Sequence, residues 1–190
     1  MNRIELNIGG RDFVFAVEFI DDQDAGAPWD NSDCHGVVTG WERRDHYKGG
    51  KHPGELILAK SDRCNRDGRY RFYDFAASCR LALRDGWDAH PYNEGDETKR
   101  QQAAKAARSD FEYLRGWCND EWRYVGVVVT LLDDGGEKTE VSDSLWCVET
   151  FGDYHEVQAR TLADELLGGY GVSWDQVSKT SYGYTQMSVA

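Results

Sequence analysis

Ile4-Glu5-Leu6-Asn7-Ile8-Gly9-Gly10-Arg11-Asp12-Phe13-Val14-Phe15-Ala16-Val17-Glu18-Phe19 sets Ile4, Leu6 and Ile8, then Phe13, Phe15, Val17 and Phe19, at every second position around a diglycine. A period of two on both sides of Gly-Gly is the pattern of a β-hairpin with one buried face. The same logic repeats further along. Glu55 to Ala59 and Tyr70 to Tyr73 flank a Cys64-Asn65-Arg66-Asp67-Gly68 turn, and Val125 to Leu132 is answered by Val141 to Val148 across Asp133-Asp134-Gly135-Gly136. Helical spacing fills the intervals. Asp74 caps a short helix that carries Phe75, Cys79 and Leu83 and stops near Asp85, before Gly86. Thr98 to Trp122 has the strongest helix formers, with Phe111, Leu114, Trp117, Cys118 and Trp122 on its inner face. Tyr154 to Leu167 ends at Gly168-Gly169. Strands that follow strands predict the α+β class: an antiparallel sheet built from hairpins, with about three helices packed on one face. The expected organisation is one domain over 1–168, containing a long loop at 21–54, and a C-terminal tail at 169–190 with no helical or strand period.

Length and composition bound the function. The 190 residues are 40% hydrophobic and 13% aromatic, enough for a real core. The 34 Asp+Glu against 22 Lys+Arg give −12 at pH 7, which argues against a surface that neutralises phosphates along a nucleic acid. No apolar run reaches the roughly 18–20 residues of a membrane span, and Met1-Asn2-Arg3 leads directly into the first strand pattern, so no membrane contact and no export by a signal peptide are expected. Five cysteines (Cys34, Cys64, Cys79, Cys118, Cys147), far apart and without a CxxC, suit reduced thiols in cytoplasm. Cys79, Cys118 and Cys147 fall in apolar stripes or strands and read as small buried hydrophobes.

Charge is unevenly distributed. Residues 18–33 carry −6 through Glu18, Asp21, Asp22, Asp24, Asp30 and Asp33, and residues 133–156 carry −7. Such fields steer cationic partners, although acidic turns also simply keep proteins soluble. Trp29 and Trp41 lie in polar, aperiodic chain, where an aromatic often anchors a partner. Arg43, Arg44, Lys48, Lys51 and the later Arg63, Arg66, Arg69 and Arg71 either pair with the acidic loops or form a small phosphate or nucleotide patch on which Trp41 or Tyr47 stacks a base. No glycine-rich phosphate cradle accompanies them. Cys34, His35, His46, His52 and Cys64 have no zinc-like spacing, and the aspartates of 21–33 lack the register of a calcium loop. Neither a metal nor a cofactor is expected, and no catalytic residue is assigned.

Ala27-Pro28-Trp29-Asp30 through His35-Gly36, Trp41-Glu42-Arg43-Arg44, His52-Pro53-Gly54-Glu55-Leu56 and Arg71-Phe72-Tyr73-Asp74-Phe75 form one set of blocks. Asp110-Phe111-Glu112-Tyr113-Leu114-Arg115, Trp117-Cys118-Asn119-Asp120-Glu121-Trp122 and Tyr124-Val125-Gly126-Val127-Val128-Val129 form another. Over residues 27–165 these blocks resemble small accessory proteins encoded by tailed bacteriophages. The resemblance implies a setting, the host cytoplasm, where small acidic proteins inhibit host defences or host enzymes; it brings no activity, cofactor or site residue. The expectation is therefore a phage-encoded acidic binding protein that inhibits or modulates a host protein, for instance a host-defence nuclease complex in the anti-CRISPR or anti-restriction manner. Its expected partner-binding residues are Asp21, Asp22, Asp24, Trp29, Asp30, Asp33, Trp41, Asp133, Asp134 and Glu137, with no direct nucleic-acid contact. The alternative is a small enzyme or a nucleotide- or metal-binding protein that uses the 21–54 loop, with Asp30, Asp33, His35 and Arg43 at its centre. A small virion component is a third class.

Overall fold

In a computed structural model of the chain, the structure describes residues 2–8, 11–31, 34–44, 50–61, 68–87 and 97–168. The elements are β1 (Asn2–Ile8), β2 (Arg11–Asp21), α1 (Pro28–Asn31), β3 (Val37–Val38), β4 (Glu42–Arg43), β5 (Glu55–Lys60), β6 (Arg69–Asp74), α2 (Phe75–Asp85), α3 (Lys99–Cys118), β7 (Tyr124–Leu132), β8 (Lys138–Glu149) and α4 (Tyr154–Gly168). All strand pairing among the described residues is antiparallel, so the protein is α+β. The chain divides into two compact units: Met1–Ala25 with Trp122–Ala190, and Gly26–Glu121.

The first unit is a four-stranded sheet in the order β1-β2-β7-β8 with α4. The period of two decides its inner face. Phe13, Phe15 and Val17 of β2 and Val125, Val127 and Val129 of β7 point one way, and Ala159, Leu162, Ala163 and Leu167 of α4 join them in one buried cluster. Each large apolar side chain enclosed there contributes about 1.5–3 kcal/mol relative to exposure. The register places Ile4 opposite Phe15, Val17 opposite Val129 and Val127 opposite Leu145. Between Val125 and Val127 the pairing with β8 slips, because Trp146 and Cys147 form a bulge opposite Gly126.

The second unit centres on β6, with β5 along one side and the short β3 and β4 sharing the other. Its helices start as the sequence dictates. Asp74 accepts the Ala77 N–H at 2.8 Å and caps α2, which ends at Gly86 in the left-handed region (φ 69°). Thr98 and Gln101 form a reciprocal capping box at the start of α3. Leu58, Tyr73, Phe111 and Leu114 make a separate buried cluster, with Trp29, Leu56, Phe75 and Cys118 packed around it.

Some particulars differ from the sequence expectation. The 21–54 stretch holds α1, β3 and β4, each too short to show a period. The helix expected to run to Trp122 stops at Cys118, because Asn119 closes its last turn and Asp120 turns left-handed (φ 58°). Cys147 is exposed instead of buried, because the bulge puts it at φ 59° and out of the strand alternation. The turns expected at Gly9-Gly10 and around Cys64, and the tail from 169 onward, lie outside the described residues.

Candidate functional site

Charge separates the two units before any geometry is considered. The first has 17 Asp+Glu against 6 Lys+Arg, net −11, and the second has 17 against 16, net −1. Nearly the whole charge of the chain therefore belongs to the sheet-and-helix unit.

The acidic residues expected to meet a partner sit in two places in this unit. Asp21, Asp22 and Asp24 follow the end of β2, where Asp21 lies opposite Val125. Asp21 pairs with Arg123 at 2.9 Å. Asp22 accepts the Asp24 N–H at 3.1 Å and, through its other oxygen, the Cys147 N–H at 2.9 Å. Asp133, Asp134 and Glu137 make the β7–β8 turn at the opposite end of the same hairpin, about seven residues or roughly 23 Å along β7. All three are exposed. The Asp133 carboxylate closes the turn by accepting the N–H groups of Gly135 and Glu137, each at 2.9 Å, so it serves local structure as well.

Asp22 is tied to an apolar surface that sequence reading missed. Ile20 is opposite Gly126, and the Trp146 ring lies over Gly126 so closely that a Cβ there would come within 2.5 Å of it. Ile20 and Trp146 therefore flank a missing side chain on the outer face of the sheet, and they are 45% and 49% exposed. Leu145, Phe151, Tyr154 and Val157 are further exposed apolar groups of this unit. The signal was a lone glycine within a β-branched run, which marks a bulge or a close approach.

The second unit gathers other candidates. His35 Nδ1 meets Asp110 Oδ1 at 2.7 Å, and Asp110 Oδ2 accepts the Gly36 N–H and the Tyr73 hydroxyl, each at 2.8 Å. Tyr73 is also 3.0 Å from the Ala107 carbonyl oxygen. Burial, followed by the nearby Asp110 charge, pushes the phenol up, so it stays a protonated donor. Tyr113 stacks on the His35 ring at 5.6 Å. A histidine oriented through Nδ1 by a fixed carboxylate presents Nε2 outward, the arrangement by which a general base is aimed.

Trp29 and Trp41 come together, with Arg71 between them. The guanidinium carbon is 4.7 Å from the Trp29 ring centre and 5.1 Å from that of Trp41. Trp29 is half-buried and meets Trp117 edge-on at 5.3 Å, whereas Trp41 is 46% exposed. Trp29 is thus mainly internal packing. Asp30 is exposed on α1, Arg43 is exposed on β4, and Asp33 lies outside the described residues. Arg44 is engaged by Glu42 and Glu55. A concavity of about 590 Å³ lies between β5 and the end of α3, lined by Leu58, Ala59, Lys60, Arg115, Cys118 and Asp120 among others. Burial pushes the Cys118 thiol up to about 11 against the opposing charge of Arg71, so at neutral pH it is a thiol and a poor nucleophile. Among the described residues no group of three His, Cys, Asp or Glu side chains converges on a metal-sized point.

No protein-family profile matches this chain, and neither a curated protein nor a solved structure is significantly similar to it.

Proposed function

We propose that the protein is an acidic binding protein that docks on a basic surface of another protein, with the first unit as its contact region. The observation that supports this most is the junction of Ile20, Trp146 and Asp22: two half-exposed apolar side chains beside a carboxylate anchored on Cys147, in a unit of charge −11. An aromatic anchor with a charged rim is the usual composition of a protein contact, with the anchor carrying affinity and the charges carrying steering. The resemblance to phage accessory proteins makes the partner a host protein in the host cytoplasm, and a host-defence nuclease complex is the first to try. Asp134 and Glu137, exposed in the same unit, are secondary contact candidates.

The test is affinity capture from host lysate with tagged protein at low salt and at about 0.5 M salt, where exposed charge contacts are screened. One stoichiometric partner, lost at high salt and lost when Asp21, Asp22 and Asp24 are changed to Lys, is the expected result. No partner at either salt, or capture that the charge reversal and Trp146→Ala both leave intact, overturns the reading.

The His35–Asp110 pair favours a second reading, a small enzyme or ligand-binding protein acting from the 21–54 stretch. It expects a melting temperature that rises with some member of a nucleotide and divalent-metal panel and a response that His35→Gln removes.

A further inference from the structure

Arg71 is surrounded by the second unit without being neutralised by it. Arg44, whose guanidinium lies 4.6 Å from the Phe72 ring centre, has the carboxylates of Glu42 and Glu55. Arg71 has no carboxylate and no hydrogen-bond acceptor among the described residues, and its Nε is enclosed without a partner. What holds it is the two indole faces. A guanidinium held in plane, with no carboxylate beside it among the described residues, is a preformed half of a charge-assisted contact with an oxyanion.

We propose that Arg71 and Trp41 form a binding site for a nucleoside phosphate, with a phosphate on the terminal nitrogens of Arg71 and the base on the open face of Trp41. The indole is half-exposed although the guanidinium covers one of its faces, which leaves a surface for stacking. On the other side of Arg71 the chain continues to its register partner Ala59, which lines the 590 Å³ concavity together with Lys60 and Arg115. Further phosphates pass from Arg71 toward those two cations. The order across the strands is then base, first phosphate, later phosphates, read from β4 over β6 to β5. The near-neutral charge of this unit does not repel such a ligand, and the site is independent of the acidic contact region.

The full chain is titrated with ADP, AMP, adenosine and inorganic phosphate, with tryptophan fluorescence and calorimetry as readouts. ADP binds at least about tenfold more tightly than adenosine or phosphate alone, a difference on the scale of one charge-assisted contact. Trp41→Ala, at an exposed position, weakens ADP to the level of phosphate, and Arg71→Gln weakens it to the level of adenosine. Lys60→Ala weakens ADP more than AMP. The Asp21, Asp22 and Asp24 reversal leaves ADP affinity no weaker. Circular dichroism verifies that each variant is folded, and if Arg71→Gln is not, Trp41→Ala and Lys60→Ala carry the test. Equal affinity for adenosine and ADP, no saturable binding of ADP, or a folded Trp41→Ala that binds ADP as well as the parent overturns the proposal.

Discussion

The first unit holds 17 acidic groups against 6 basic ones, and the second holds 17 against 16, and in the second Arg71 lies between two indole rings with no carboxylate beside it among the described residues. Net charge and local charge therefore point to different ligands in one chain. The acidic unit uses its excess at exposed positions, where carboxylates keep their hydration and act at long range. In the near-neutral unit Arg44 is met by Glu42 and Glu55, whereas Arg71 is held by indole faces. The composition of the whole chain, dominated by −12, describes the first unit and conceals the second.

The largest effects should come from the two cores, and they test whether the units are energetically separate. Phe15→Ala removes a fully enclosed ring from the first cluster and should cost about 3–5 kcal/mol, and Leu114→Ala should cost about 2–5 kcal/mol in the second. Denaturant unfolding followed by amide exchange should localise each loss to its own unit. If each substitution loosens both clusters equally, the contrast drawn here collapses.

Two glycines give a sharper test. A Cβ on Gly36 would lie 2.3 Å from the Tyr73 hydroxyl and 2.4 Å from Ser78 Oγ, and both atoms are fixed by hydrogen bonds. Gly36→Ala should cost about 3 kcal/mol and break the Asp110 contact. Gly126→Ala meets the Trp146 ring, a half-exposed side chain with room to swing outward, and should cost about 1 kcal/mol. A red-shifted tryptophan emission should accompany it. Equal costs would show that Trp146 is held as firmly as the buried network.

The smallest effect concerns Asp164 on α4, which burial pushes up to about 6. The folded state then binds its proton more tightly than the unfolded state, so the group adds stability at low pH that disappears as pH rises through 6. Asp164→Asn should stabilise the protein by about 1 kcal/mol at pH 7.5, after discount for its partial solvent contact, and should be neutral near pH 4. Thermal melts at the two pH values measure it.

Legibility followed length and period. The β1–β2 and β7–β8 hairpins, the Asp74 and Gly86 ends of α2 and the inner face of α3 could be read, because each repeats a local rule over many residues. The short α1, β3 and β4 could not, since two to four residues show no period. Among the site candidates, Asp21, Asp22, Asp134 and Glu137 are exposed or partly so, as their composition suggested, whereas Trp29 is taken up by packing against Trp117. Trp146 escaped notice because alternation in a strand says nothing about which face is covered.

By itself the sequence determined the α+β class, the β1–β2 and β7–β8 hairpins, the ends of α2 and the acidic excess, since these depend on neighbours within a few positions. The tertiary structure alone decided that the chain leaves the first unit at 25 and returns at 122. It also decided that Trp29, Trp41 and Arg71 meet, that His35 finds Asp110, and that the bulge at Gly126 brings Asp22 to Cys147. Those are contacts between residues 30 to 125 positions apart, and no local rule encodes them. They exist because folding closes the loops between them, and burial rewards that closure only when the whole core assembles.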